Sequence, residues 1–300
     1  MALTKDEITA ALQALQDRIC SALETADNKG KFIEDKWERP GGGGGRSRVI
    51  ESGAILEKGG VNFSAVHGEL PANVQTALGV NEKDFFATGV SIVMHPENPH
   101  VPIIHMNVRY FELNENVWWY GGGIDLTPHY VVTEQADWFH HQLKEACDKI
   151  DDSYYPKFAA WADKYFYIPH REESRGISGI FFDRLNTEST GKTKEELLQF
   201  LLDVGNSFAP VYTHLMELNH KKEVSELNKA WQMHRRSRYV EFNLVHDKGT
   251  KFGLDTHGRI DSILMSLPPS TGWIYTQNWP EGGEELKTQE YLRTVHVPRS

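Results

Sequence analysis

The sequence predicts an α+β fold: a large antiparallel sheet of about seven strands flanked by helices, in a single domain spanning residues 1–300. Three observations carry this. Stretches rich in β-branched and aromatic residues follow one another between 47 and 122, separated by Gly, Pro and Asn turns. Connections that short favour antiparallel pairing over βαβ units. Most helical patterns come afterwards, in a block rather than in alternation with strands.

Thr4-Lys5-Asp6-Glu7 reads as a capping box, and Ile8, Leu12, Leu15, Ile19 and Leu23 recur at helical spacing, so 4–25 is predicted as one amphipathic helix. The strand stretches are SRVIESGAILEKGG, FFATGVSIVMH, VPIIHMNVRYFEL and VWWYGG. Helices are predicted at about 133–150, 153–166 and 193–222, and further strands at 177–183, 238–246 and 260–267.

Composition narrows the function. The chain carries 42 acidic and 32 basic residues, a formal charge of −10, which argues against nucleic acid as a partner. An anionic ligand would need a local arginine cluster acting against the overall field. No window approaches 18 uninterrupted apolar residues, so no membrane span is predicted. The first residues are acidic at Asp6 and Glu7 and lack a signal pattern, and Cys20 and Cys147 are the only cysteines. Together these predict a cytoplasmic protein.

The run Gly41–Gly45, followed by Arg46-Ser47-Arg48, has little upstream to link. It is not a Walker loop, which needs Lys-Ser or Lys-Thr after its last glycine. Two readings remain: backbone approaching a bulky ligand or hinging a flap, and a solvated surface turn.

On HMNVRYFE, alternation puts Ile104, Met106, Val108 and Tyr110 on one face and His105, Asn107 and Arg109 on the other. A hairpin turning near Pro99-His100 would set His95 opposite His105. Such a patch binds an anion, shuttles protons or holds a metal. RYVEFNLVH alternates in the same way, which predicts a second strand lining one concave polar face. Asp125 closes the glycine cluster of WWYGGGIDLTP; locally it reads as a turn cap, and beside a ligand as an acceptor for N–H groups. His140 lies on a predicted helix, where a histidine is most often a surface residue. Arg46, Arg48, Arg109, Arg175 and Arg259 are the basic residues expected to converge on one pocket, since arginine grips carboxylates with two parallel hydrogen bonds.

The stretches KWERPGGGGGRSRV, GVNFSAVHGE, HMNVRYFE, WWYGGGIDLTP, YFYIPHR, RGISGIFFD, RYVEFNLV and HGRIDSILMSLPP, from about 31 to 268, resemble the oxygen-dependent coproporphyrinogen III oxidase family. The resemblance implies a flattened sheet sandwiched by helices and a homodimer whose interface includes strands within 239–274. It implies oxidative decarboxylation of two propionates of coproporphyrinogen III to vinyl groups, with O2 as co-substrate and no organic cofactor. It implies a divalent metal at His95, His105, His140 and His170, with His105 also a proton donor. Substrate contacts map to Ser91, to Asn107, Val108 and Arg109, and to His257, Gly258 and Arg259, where His257 departs from the family's Gly-Gly-Arg. Arg175 joins the substrate-binding set, and Asp125 and Arg109 the catalytic set. The glycine run becomes a pocket-lining or flap loop, with Arg46 and Arg48 as candidate propionate contacts. The competing readings are a histidine-ligated metal oxygenase acting on another aromatic substrate, and a tetrapyrrole carrier without catalysis.

Overall fold

A computed structural model of the chain describes residues 3–70, 75–76, 79, 81–255, 258–275 and 278–295. The first helix, α1 (Lys5–Asp27), starts at the expected capping box: Thr4 accepts from the Glu7 backbone and Glu7 reaches back to Thr4. Strands β1 (Ile33–Glu38), β2 (Gly43–Glu51), β3 (Leu56–Glu69), β4 (Asp84–Pro96), β5 (Ile103–Asn114) and β6 (Val117–Thr127) follow as an antiparallel meander. Next come α2 (Thr133–Asp148), α3 (Tyr154–Tyr165), a two-strand ribbon of β7 (Tyr167–Ile168) and β8 (Glu173–Ser174), and β9 (Ser178–Leu185). β9 pairs with β6 and completes a seven-stranded sheet in the order β1-β2-β3-β4-β5-β6-β9. The short α4 (Thr187–Thr190) leads into α5 (Lys194–Asn219), and α6 (Glu226–Glu241) runs into a π-turn at Phe242–His246. Three helices close the described chain: α7 (Lys248–Asp255), α8 (Ile260–Leu264) and α9 (Glu284–Thr294).

The sheet has two unlike faces because strand side chains alternate. One face carries Val61, Val90, Ile92, Ile104, Met106, Val108 and Ile124, all fully buried. It packs against α1 and α5 in the main core, with Leu12, Leu15, Val204 and Phe208. Each such aliphatic side chain removed from water contributes about 1.5–3 kcal/mol, so tertiary packing rather than helix propensity holds α1 in place. The other face carries His105, Asn107 and Arg109, and only part of it is covered. No helix among the described residues is long and apolar enough to cross a membrane.

Two expected strands are not strands. Residues 238–246 form the end of α6 and the π-turn, and 260–267 contain α8. The helix is set upstream, where Ser225 and Asn228 make a capping box and Trp231, Arg235 and Tyr239 bury one face at a spacing of four. The alternation in RYVEFNLVH is misleading because Leu244 is exposed while Phe242 packs on Ala162, Phe166 and Ile168. Among the described residues, 239–274 contain no strand, so the interface strands expected there are not present.

The glycine run is not a flap loop. Gly41 and Gly42 make the β1–β2 turn, with φ of +117° at Gly42 and +77° at Gly43, and Gly43–Gly45 lie in β2 between β1 and β3. A side chain at Gly45 would meet the Trp37 ring and, at 2.5 Å, the Phe63 carbonyl.

Candidate active site on the open sheet face

Residues paired across neighbouring antiparallel strands point to the same side, so the register defines the open face. His105 is opposite Asp125 on β6 and Val93 on β4; Asn107 is opposite Gly123 and Ser91; Arg109 is opposite Gly121 and Gly89. The row continues through Ser64 to Gly45. Gly45, Ser64, Gly89 and Ser91 make a bed of small residues, with His105, Asn107 and Arg109 standing beside it.

His105 Nδ1 contacts Asp125 Oδ1 at 2.7 Å, and Arg175 Nη2 donates to Asp125 Oδ2 at 2.6 Å. Asp125 is 1% exposed. Burial pushes its carboxyl pKa up, but the Arg175 charge and the His105 hydrogen bond outweigh this and hold it below the ordinary carboxylate value. Arg175 is also buried; its Nη1 donates to Asn243 Oδ1 at 2.8 Å, and its guanidinium lies 4.4–4.8 Å from the ring centroids of Phe166, Phe242 and Tyr239. The π-turn supplies both Phe242 and Asn243. His105 Nδ1 faces the Asp125 carboxylate, which leaves Nε2 for the open face, where the side chain is 25% exposed.

The structure sorts the sequence-predicted residues. Ser91, Asn107 and Arg109 stand together with His105. Arg109 donates to Asn107 Oδ1 at 2.7 Å and to Asp183 Oδ1 at 2.8 Å. The Val108 side chain is buried in the core, so only its backbone is near the face. Arg175 is not an open-face group; its guanidinium backs Asp125 and is out of reach of a ligand on the face. Asp125, 1% exposed, accepts one hydrogen bond on each oxygen, from His105 and from Arg175. Arg46 and Arg48 point to the opposite side of the sheet: Arg46 bonds Gln16 and Asp17 of α1, and Arg48 bonds Asp17 and Glu34. Arg259 pairs with Asp35 of β1. Gly258 donates its N–H to Gly253, and His257 lies outside the described residues.

The four histidines expected to share a metal do not come together. His95 is one diagonal step from His105, not opposite it, because the β4–β5 connection spans 97–102. His95 is buried with Nε2 on the Ser266 carbonyl at 2.8 Å. His140 contacts the Ile177 carbonyl at 3.0 Å and Tyr155 at 3.1 Å. His170 contacts His246 at 3.0 Å and Glu241 at 2.9 Å. Among the described residues no group of three or more His, Cys, Asp or Glu is placed to hold an ion. A four-histidine site needs nitrogens about 2.0–2.1 Å from one centre, and this donor set does not fit it.

Sequence reasoning missed Asn243 and Asp183. Asn243 was hidden in a segment read as a strand, and Asp183 ends the RGISGIFFD stretch without a local signal for its partner.

Part of the open face is roofed by 259–267. Ser262 touches Ser47 at 2.9 Å and accepts from Asn62 at 2.7 Å, and Leu267 accepts from Lys58 at 3.0 Å. Met265 sits over Gly60.

Known proteins match this chain over most of its length. Residues 7–297 match the family model described as coproporphyrinogen III oxidase. Coproporphyrinogen-III oxidase 1, chloroplastic, of Arabidopsis thaliana is 48% identical over 92% of this chain and 74% of its own length. The oxygen-dependent coproporphyrinogen-III oxidase, chloroplastic, of Glycine max has the same identity and coverage. The oxygen-dependent coproporphyrinogen-III oxidase of Prochlorococcus marinus is 45% identical over 96% of this chain and 90% of its own. With matches of this extent across the strands and turns that carry His105, Arg109 and Asp125, the chain belongs to the coproporphyrinogen III oxidase family.

Proposed function

We propose that this chain catalyses the O2-dependent conversion of coproporphyrinogen III to protoporphyrinogen IX in haem biosynthesis. In each of two turnovers a propionate carboxylate leaves as CO2, and the electron pair of the broken C–C bond forms the vinyl double bond. The hydride equivalent lost from the neighbouring CH2 reduces O2, and one proton completes H2O2. The observation that carries the reading is the His105–Asp125–Arg175 chain standing in register with Asn107 and Arg109 beside a bed of Gly and Ser. His105 exchanges protons with substrate and reduced oxygen through Nε2. Asp125 and Arg175 hold its tautomer and orientation. Arg109 exchanges Asp183 for a propionate, and Ser91 and Asn107 bind the pyrrole part of the ring. The backbone at Gly258 and the Arg259 side chain contact substrate from the roof. No step is routed through a metal, because the donor set does not fit one.

The chain acts as a homodimer in this reading. Leu244, Val245, Phe252, Leu254, Ile260, Trp273, Ile274 and Tyr275 are large apolar residues left exposed within one stretch of the sequence. Large exposed apolar residues are the usual content of an association surface. Sedimentation velocity tests it: a monomer at micromolar concentration would remove the dimer. The cytoplasm is the assigned compartment, on two buried free cysteines, although the plant relatives' names read chloroplastic.

The test of function is O2 uptake on addition of the porphyrinogen in chelated buffer. Two O2 consumed per vinyl pair formed supports the reading. Uptake abolished by chelation points to the metal oxygenase, and binding without uptake to a carrier.

A further inference from the structure

The structure leaves a charge problem. The substrate has four carboxylates, and a single orientation puts one of them at His105. Arg46, Arg48 and Arg175 are withdrawn from the open face, so they cannot receive the others. The same face nevertheless continues past Arg109. Phe111, two residues on, points to the same side as Arg109, and it is opposite Trp119 on β6 and Ala87 on β4. Phe85 stacks on Phe111 at 5.8 Å with planes 8° apart, and Phe111 stacks on Trp119 at 4.7 Å. All three rings remain partly exposed. An arginine lies at each end of this ladder: Arg39 is 5.5 Å from the Phe85 centroid, and Arg184 is 5.8 Å from that of Trp119.

These two arginines differ from most others in the chain. Arginines from Arg46 to Arg259 mostly hold a carboxylate within 4.0 Å. Among the described residues no ion pair is formed by Arg39, whose guanidinium donates to the His67 carbonyl, or by Arg184. In a protein with ten more acidic than basic side chains, two such guanidiniums at the ends of one aromatic strip are a specific arrangement.

Arg184 is also held in an unusual backbone state. The β6–β9 register shifts between Tyr120/Leu185 and Gly122/Phe182, so β9 has one extra residue there. Arg184 adopts φ of +56° in this bulge. Bulges beside sites re-aim side chains, and a non-glycine residue at positive φ is strained. Here the bulge turns Asp183 toward Arg109 and Arg184 over Trp119.

We infer that Arg39 and Arg184, at the two ends of the Phe85–Phe111–Trp119 ladder, form a second carboxylate subsite that grips the propionates not undergoing oxidation. The pyrrole rings on that side pack on Phe111 and Trp119. From His105 to Phe111 the strand runs about 20 Å at 3.3–3.4 Å per residue, long enough for a tetrapyrrole with extended propionates to lie along it. The inference rests on the proposed function for the identity of the ligand. The chemistry of the subsite, a flat or ruffled aromatic body with carboxylates on one edge, is independent of turnover.

The experiment uses the full chain with Arg39→Ala, Arg184→Ala, the double variant and Arg184→Lys. KM and kcat are measured with the porphyrinogen. Binding is measured by fluorescence titration with the oxidised, non-reactive tetracarboxylate porphyrin and with its tetramethyl ester. Each single alanine variant should raise KM about tenfold, the loss of one charged contact, with kcat within about twofold of wild type. The double variant should lose about a hundredfold in affinity, and Arg184→Lys should recover part of it. The wild type should prefer acid over ester, and the double variant should lose most of that preference. Unchanged KM in both single variants, or an acid-over-ester preference that survives in the double variant, overturns the subsite. A wild type that discriminates acid from ester but consumes no O2 overturns the proposed reaction and leaves the subsite standing.

Discussion

His105 and Asp125 occupy directly opposed positions on neighbouring strands, and the imidazole Nδ1 meets the carboxylate across 2.7 Å. The carboxylate is shared with Arg175 from behind. This makes the histidine the exposed end of a buried three-residue chain, and its orientation depends on the two buried groups behind it.

Asp125→Asn should therefore act on turnover more than on binding. The amide can present N–H to His105 and force the wrong tautomer, and it leaves the buried Arg175 without its anion. A fall in kcat of about 10²–10⁴-fold is expected, the range of general acid–base catalysis. Breaking the buried pair also costs about 3–5 kcal/mol of stability. Steady-state kinetics and thermal melts on the same preparation check both. A variant with unaltered kcat would remove His105 from proton transfer.

Arg109→Ala and Arg259→Ala should lose activity through substrate binding. Each removes a bidentate carboxylate partner worth about 2–5 kcal/mol when desolvated, which is at least about 30-fold in kcat/KM. Arg109→Ala also frees Asp183 on the open face, so Asp183→Asn in that background should restore part of the affinity. Near-wild-type KM in Arg109→Ala would place the carboxylates elsewhere.

Gly45→Ala should lower the melting temperature as well as the rate. The added methyl meets the Phe63 carbonyl at 2.5 Å, and backbone between two paired strands cannot yield. Overpacking of this kind costs about 1–3 kcal/mol. Cleavage after Arg46 and Arg48 should be slow with or without porphyrin, because both residues lie in a strand paired on both sides. Ligand-dependent protection there would restore a mobile role for the run.

His95 makes the fold acid-sensitive. Burial, reinforced by the Arg236 charge and opposed by the Ser266 carbonyl contact, lowers its pKa to about 3. The folded value is below the unfolded one of about 6.5, so unfolding takes up a proton in the window between them. The contribution of His95 to stability is fully present above pH about 6.5 and is lost as the pH falls toward 3. Urea unfolding at pH 7.5, 5.5 and 4.5 should show this slope, and His95→Gln should flatten it. Equal slopes in the two proteins would mean that His95 is reached by solvent.

What the sequence made legible was local. The capping box at Thr4 and the alternation through His105, Asn107 and Arg109 depend on neighbours within a few residues, and both appear as expected. The side of the sheet taken by Arg46 and Arg48 follows from the same alternation, but only once α1 is known to cover that side. Arg175 reads as a pocket cation because the three aromatic rings that enclose it come from other segments, Phe166 on one side and Tyr239 and Phe242 on the other. His95 and His140 look like ligands until the carbonyls of Ser266 and Ile177, remote in sequence, are seen to occupy their ring nitrogens. The helix at 238–241 was decided by a cap at Ser225 well outside the window that showed alternation.

The sheet begins with β1, whose sequence IEDKWE places Glu34, Asp35, Lys36 and Glu38 along an outer margin paired on one side only, with β2. Unpaired strand margins invite lateral growth by other chains, and charges are the usual deterrent. Glu34 and Asp35 are also committed to Arg48 and Arg259. Addition of a strand there would have to strip those pairs and bury the remaining charges. Lateral growth through this margin of the sheet is thereby opposed.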